Sequence, residues 1–314
     1  MLIYIVQRLG LAIMICLCAI TVLFSFVYVI PGDPATIALG PRASEETKQR
    51  FKEEMGLDKP IYVRLARFVT KVAHGDLGTD LFSRRPVTTI VLENLPYTLL
   101  LIAAGLGWAV LLGIPLGCLS AIRRNSFADK FTGIVSVATI SIPSFVVGVY
   151  VVLLFAVELH WFPYIGVGER GDYWDQFMHL VMPAFAVGLG WVGYLARLVR
   201  ASMLEVMGEN HIRTARAFGL SERLIVFRYA LRIGILPTIT LLSLAIGSLL
   251  SSAVFAESVF ARPGIGKLVV DMVASRNYPV VEGAVLVTVG LFVVGTLIAD
   301  LVVAWLDPRV RASL

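Results

Sequence analysis

Six uncharged apolar runs dominate this chain: Leu9–Ile30, Tyr97–Ile122, Phe131–Val157, Leu180–Ala196, Ile233–Ala256 and Gly283–Ala299. A bilayer core about 30 Å thick is crossed by roughly 20 residues of helix, and each run meets that length or comes close. In lipid, backbone N–H and C=O groups must bond within their own segment, so such runs fold as helices. Of all residues, 58% are hydrophobic and 16% charged, against about 25% charged in soluble domains. The expected fold class is therefore all-α, a polytopic membrane protein with six transmembrane helices. The sixth is expected to reach about Leu306, with Asp300 near its end. Leu9–Ile30 exceeds the ~7–15-residue apolar region of a secretory signal. No small-residue cleavage site precedes Pro31-Gly32-Asp33-Pro34, so the run is read as a retained first span. Pro115 and Pro143 predict kinks inside spans two and three, and Pro183 falls in the first turn of span four, where proline costs least.

Lys and Arg in the short loops set the orientation. Arg8, the Arg123–Lys130 loop, the Arg197–Arg232 segment and Arg309 with Arg311 contribute thirteen basic residues to one face. The opposite face has one in Glu158–His179 and three in Glu257–Glu282; its long Pro31–Pro96 segment carries ten, offset by nine acids. Both termini are expected to be cytoplasmic. The same distribution assigns the net charge of +5 to membrane topology and argues against nucleic acid as a partner. Cys16, Cys18 and Cys118 lie inside apolar runs and read as small buried hydrophobes.

The outer segment carries helix signals. Ser44-Glu45-Glu46 predicts a capped start and Gly56 a stop. A second helix is expected from about Pro60 to Ala73, with Ile61, Leu65, Phe68, Val69 and Val72 on one face. That face is expected to pack on the protein's own outer surface in preference to the membrane surface.

Between spans four and five, the residues from Arg197 to Pro237 carry seven Arg against three Glu. Asn210 predicts an N-cap for a helix over His211–Phe218, and Gly219 supplies the left-handed residue that ends it. Ser221 is expected to cap a second helix, Glu222–Arg232. Ile212, Ala215 and Phe218 recur every third position. Exposed, the Ile and Phe would each forgo roughly 1.5–3 kcal/mol of burial. Composition alone leaves two uses open for such a helix: a groove on a cytoplasmic partner, or anionic lipid held by its arginines.

Arg213-Thr214-Ala215-Arg216-Ala217-Phe218-Gly219, followed by Leu236-Pro237, resembles the cytoplasmic-loop signature of ABC-importer permeases. The similarity is greatest to the dipeptide/oligopeptide/nickel branch, which is binding-protein-dependent. Other segments resemble that branch in the same order: Pro31-Gly32-Asp33-Pro34-Ala35, Gly56-Leu57-Asp58-Lys59-Pro60, Gly75-Asp76-Leu77-Gly78 and Asn94-Leu95-Pro96-Tyr97-Thr98. Pro263-Gly264-Ile265-Gly266, Tyr278-Pro279-Val280-Val281 and Asp307-Pro308-Arg309-Val310-Arg311 continue the series. Arg213 and Thr214 depart from the signature's Glu and first Ala, Gly219 to Pro237 is longer than the general pattern, and Gly234 stands where isoleucine is usual. The resemblance implies an ABC importer type I permease fold in a bacterial cytoplasmic (inner) membrane. It divides the chain into residues 1–94 (first span and outer helical segment), 95–306 (a five-helix permease domain with its coupling loop at 197–235) and 307–314 (a cytoplasmic tail).

The resemblance also implies that Asn210, His211, Ile212, Arg213, Thr214, Ala215, Arg216, Ala217, Phe218 and Gly219 form the coupling helix, seated in a cleft of an ATPase subunit. Implied partners are a second homologous permease subunit, two ATP-binding subunits holding ATP and Mg, and an extracytoplasmic solute-binding protein. The implied cargo is short peptides, with glutathione, nickel chelates or opines as alternatives. This chain would then be a transport subunit and not an enzyme, with no cofactor of its own.

Two glycine patterns are decoys. Gly188-Leu189-Gly190-Trp191-Val192-Gly193 fits G-x-G-x-x-G, but it lies inside a span with no strand before it, so close helix packing explains it better. Gly113 and Gly117 permit a similar approach. Gly264-Ile265-Gly266-Lys267 lacks the first glycine and the Ser/Thr of a phosphate loop. The four histidines show no metal-ligand spacing, and no catalytic arrangement is evident. Candidate pathway groups are Thr139, Ser141 and Ser144 near Pro143, and Ser248, Ser251 and Ser252 in span five. Each could equally bond a carbonyl of its own helix. Asp300 is the one acid placed within a span, and a structural ion pair is its preferred role. A secondary transporter driven by ions would need buried acids or histidines at mid-depth, which only Asp300 approaches.

Overall fold

A computed structural model describes residues 2–29, 34–40, 42–55 and 58–306. The expected helix stops at Pro31-Gly32-Asp33 and Gly56, and the tail 307–314, lie outside those residues. The described chain is helical: α1 (Leu2–Val29), α2 (Pro34–Leu39), α3 (Glu45–Met55), α4 (Ile61–Ala73), α5 (Val87–Ile122), α6 (Phe127–Ser141), α7 (Ser144–Val151), α8 (Tyr173–Met207), α9 (Asn210–Ala217), α10 (Glu222–Leu224), α11 (Leu231–Gly234), α12 (Leu236–Val259), α13 (Ile265–Ala274) and α14 (Tyr278–Leu306). α7 runs on as a π-helix through Glu158, and α10 leads into a π-helical stretch, Ile225–Ala230.

Among the described residues, α5, α8 and α14 are each long and apolar enough to cross a membrane, and α6 with α7 qualifies as one bent pair. Shorter apolar stretches lie at Gly10–Ser25 in α1 and Ala245–Val259 in α12. Several elements differ from their expected bounds. α5 begins at Val87, ten residues before the apolar run, and passes Pro115 as one helix. α8 begins at Tyr173, where Asp172 caps the N–H groups of Trp174 and Asp175. Pro183 therefore lies about three turns inside the helix and not in its first turn. Pro143 does more than kink its span: α6 and α7 meet at 99°. Proline drives the residue before it out of the helical region. Ile142 (φ −89°, ψ 121°) and Pro143 (φ −58°, ψ 140°) are both extended, so the chain turns before α7 starts.

The chain forms two compact units, residues 1–98 with 263–293, and residues 99–262 with 294–314. In the first unit, α4 lays Phe68 against Ile20 and Phe24 of α1, flanked by Ile61, Leu65 and Val72. The amphipathic helix α4 thus packs on its own protein. Arg64 crosses the Phe24 ring at 5.7 Å and approaches Glu282 of α14 at 3.8 Å. Glu282 is buried and lies on α14, so Asp300 is not the sole acid on that span.

The loop between α4 and α5 is fastened to the turn between α13 and α14. Asp80 accepts hydrogen bonds from the Phe82 N–H at 3.0 Å, from the Ser83 hydroxyl and from the Asn277 amide, while Asn277 Oδ1 accepts from Leu81 N–H. Burial pushes the Asp80 carboxyl up, and these hydrogen bonds outweigh it, holding the group below the usual carboxylate range. Thr98 Oγ1 accepts from the Ile265 N–H at 2.8 Å, so one amide of the phosphate-loop decoy is already committed.

In the second unit, glycines set the helix spacing. A Cβ on Gly113 would stand 2.8 Å from Leu195 Cβ, and one on Gly117 would stand 2.6 Å from the Ala196 carbonyl. On the same α5-facing side of α8, a Cβ on Gly188 would strike the Gly105 carbonyl and the Trp108 indole; on another face, one on Gly193 would strike Thr139 Oγ1 and the Ser136 carbonyl of α6. The dinucleotide-like pattern is packing. Gly117→Ala should lower stability by about 1–3 kcal/mol through overpacking. Gly133→Ala, whose Cβ meets nothing within 4 Å, should raise it by about 0.5–1 kcal/mol through helix propensity. Thermal unfolding in detergent reads both signs.

Candidate functional site

α9 is a two-turn helix entered from Gly208 and left through Gly219. Its N-cap is Glu209 (φ −72°, ψ 156°), which makes no side-chain capping bond, and Asn210 is the first helical residue. The expected Asn210 cap is thus displaced by one position. Phe218 closes the helix and Gly219 takes φ +74°, as the sequence requires of its stop. The Gly219 N–H reaches the Arg216 carbonyl at 2.9 Å and the Leu220 N–H reaches the Ala215 carbonyl at 3.2 Å. Arg216 then spans the turn to Glu222 through Nε at 2.7 Å and Nη2 at 3.3 Å, which holds the Glu222 carboxyl below its ordinary value. Ser221 stands at the N-cap of α10 without a side-chain bond, and the expected regular helix Glu222–Arg232 is interrupted by π-helical turns.

The three apolar residues of α9 do not share a face. Ile212 is fully buried and Ala215 is 6% exposed, whereas Phe218 is 82% exposed. Each step of three residues falls about 60° short of a full turn, so Phe218 lies about 120° from Ile212. Ile212 and Ala215 sit in a core made by Cys118 and Ala121 of α5, Val199, Met203 and Val206 of α8, and Ile225, Val226 and Ala230 beyond the turn. They fasten α9 to its own protein and do not reach for a partner groove. Arg213, Thr214, Ala217 and Phe218 form the bare face.

A cavity of about 330 Å³ lies at the α6–α7 break. Pro143 and Ser144, Trp191 and Tyr194 of α8, and Ser248 and Ser252 of α12 line it, with apolar residues between them. Every described lining residue is uncharged. Ser144, Ser248 and Ser252 are thus brought together from two distant stretches of chain. Thr139, Ser141 and Ser251 are not on its wall: their hydroxyls donate to the carbonyls of Ser136 (3.1 Å), Val137 (2.9 Å) and Gly247 (3.3 Å) in their own helices. The side chain of Asp300 lies outside the described residues. Sequence reasoning missed Trp191 and Tyr194, whose rings meet edge to face at 5.4 Å. Their spacing of three inside an apolar run was the available signal, because an amphipathic ring within a span needs somewhere to put its polar edge.

The chain is similar to known proteins over nearly its whole length. The family model for the binding-protein-dependent transport system inner membrane component matches residues 113–312, and the model for the N-terminal part of such membrane components matches residues 1–102. The glutathione transport system permease protein of Pectobacterium atrosepticum is 35% identical over 311 residues, covering 99% of each chain. Its counterpart in Escherichia coli strain K12 is 34% identical over 312 residues, again 99% of each. Among solved structures, an inward-facing form of the MetNI methionine ABC transporter aligns with a TM-score of 0.57 at 18% identity, covering 69% of this chain and 96% of that one.

The packing of α9 predicts a split between its apolar residues. Ile212→Ala should cost about 2–5 kcal/mol and open α9 to proteolysis after Arg213 and Arg216. Phe218→Ala should change stability by no more than about 0.5 kcal/mol. Unfolding curves and limited trypsin digestion in detergent measure the two.

Proposed function

Because the chain belongs to the family of binding-protein-dependent transport system inner membrane components, we propose that it is one permease half of an ATP-driven importer for short peptides. It is a multi-pass protein of the inner membrane with the ABC type I permease fold. In the proposed assembly it crosses the membrane six times with both termini in the cytoplasm, and it pairs with a second, homologous permease. Two ATP-binding subunits lie beneath, and an extracytoplasmic binding protein delivers solute. Residues 1–94 then serve as entry span and outer cover, and 95–306 as the translocating body.

One observation carries the mechanism: α9 is anchored by Ile212 and Ala215 and bare at Arg213, Ala217 and Phe218. A helix held this way works as a lever. The motor subunit grips the bare face, and the anchored face passes the displacement to α5 and α8. Burying Phe218 in the motor would contribute roughly 1.5–3 kcal/mol. Ser144, Ser248 and Ser252 are the proposed pathway contacts. Glutathione, itself a tripeptide, is the first solute to test, since it stands in the names of the permeases from P. atrosepticum and E. coli.

Gly219 tests the lever. Its Cβ would meet nothing within 4 Å, so Gly219→Val strains only the backbone at positive φ. The variant should insert and hydrolyse ATP in the assembled complex while import is lost; normal import would remove the lever assignment. Phe218→Ala should weaken capture of the ATPase subunits by about ten-fold or more, read by co-purification in mild detergent. Uptake of labelled glutathione and of a labelled dipeptide by the reconstituted assembly decides between those solutes.

A further inference from the structure

An ion pair between a buried carboxylate and a partly exposed arginine joins three helices one turn away from the socket of α9. Asp129, in the first turn of α6, is 5% exposed. It accepts from Arg200 of α8 in a two-pronged fork, Nε to Oδ1 at 2.5 Å and Nη2 to Oδ2 at 2.9 Å. The hydroxyl of Ser120 in α5, itself buried, donates to Oδ1, and the Asn125 N–H donates to Oδ2 at 2.9 Å. Ser126 caps the same turn by accepting from the Asp129 N–H at 3.2 Å. Both carboxylate oxygens are therefore occupied, and the group fixes α5, the loop after it, α6 and α8 to one another.

Position gives this pair its meaning. Ser120 stands between Cys118 and Ala121, and Arg200 stands next to Val199 and one turn before Met203. Cys118, Ala121, Val199 and Met203 all belong to the core that receives Ile212 and Ala215. The stretches of α5 and α8 that hold α9 are thus the stretches that hold Asp129. From Asp129, α6 runs about 18 Å to Ser141, directly before the Pro143 break and the cavity. A close helix contact such as Gly193 against Ser136 fixes the spacing of α6 and α8 by shape. A bidentate fork also fixes their register, because any shift breaks two charge-assisted hydrogen bonds at once.

We propose that Asp129, Arg200 and Ser120 form a positioning clasp that makes α6, and through it the Pro143 wall of the cavity, move as one body with α9. The proposal rests on the lever reading above, and it adds the part that carries the motion from the cytoplasmic end to the cavity. None of the three residues touches solute in this scheme.

Spin labels on Lys130→Cys and Ala201→Cys, both exposed positions, test it in the complete assembly in lipid nanodiscs. Cys16 and Cys18 are replaced by Ser, and Cys118 is buried. Distances are measured by pulsed electron paramagnetic resonance at rest and after trapping with ATP and vanadate. With the native clasp, one narrow distance should persist in both states. In Asp129→Asn it should be native-like at rest and shift on trapping, and solute imported per ATP should fall about ten-fold, within the usual range of coupling between sites. A native distance that shifts on trapping overturns the proposal. So does an Asp129→Asn distance that stays fixed in both states, or one that is broad in both alike, which marks a purely structural pair. Should Asp129→Asn fail to assemble, Arg200→Lys keeps the charge and loses the fork, and Ser120→Ala removes one donor; the same criteria apply to each. A coupled Gly219→Val importer would refute the lever alone, since the label pair reads the rigidity of α6 on α8 directly.

Discussion

Inside a bilayer, helices gain nothing by hiding apolar surface from one another, because lipid chains are as apolar as leucine; contact has to come from fit. That constraint explains where the glycines of the second unit lie. α8 is the hub. One side meets α5 at Gly113 and Gly117, and another meets α6 at Gly193. At each point a carbonyl or side chain occupies the volume of the missing methyl. Trp108 secures the α5–α8 contact further along by donating to the Ala184 carbonyl at 2.7 Å and stacking on Phe185. The hydrophobic runs make these segments helices, but the absent side chains decide which helices touch.

α9 is exposed on one side and is held by apolar burial on the other. An eight-residue helix is too short to hold its shape in water by propensity. Burial of Ile212 and Ala215 among residues of α5, α8 and the π-helical stretch supplies what its backbone cannot. The polar clip from Arg216 to Glu222 then fixes the direction in which the chain leaves Gly219. Two buried side chains, one ion pair and one left-handed glycine thus supply the rigidity that the proposed lever requires.

Much of this was legible in the sequence for definite reasons. The span cores announce themselves by length and lack of charge, and Gly219 by the left-handed turn that only glycine adopts without strain. The ends of the spans were not legible. α5 and α8 extend well past their apolar runs into polar stretches, and composition registers lipid contact, not helix length. The face of α9 was misjudged because a period of three approximates 3.6 over one step only. The bend at Pro143 was underestimated because proline fixes only its own φ and biases its predecessor; its ψ stays free, and at 140° it leaves two successive residues extended before α7 resumes. Asp80, Asn277, Asp129 and Arg200 were invisible because their partners lie far away in the chain or look like ordinary loop charges. Several motifs that carry the family resemblance serve one another: Thr98 receives the Ile265 N–H, and Gly283, next to Tyr278-Pro279-Val280-Val281, faces Val87 and Leu77.

The cavity wall also bears on selectivity. A short peptide brings an ammonium, one or more carboxylates and a row of amides. The described lining of the cavity offers hydroxyls, an indole and a phenol but no charge to pair with those termini. A site that paired with them in a water-poor space would bind tightly, and passage requires that each stop along the way be weak enough to leave. Ser248 illustrates the point, since its proton is already given to the Ala245 carbonyl at 2.9 Å. It can accept a hydrogen bond from a passing amide, but it can donate only by surrendering one it has. For the proposed peptide cargo, such a wall would moderate the cost of dehydrating the backbone without gripping its ends. On the proposed reading of this cavity as part of the pathway, discrimination between charged solutes falls to a step before it, where charges are matched in water.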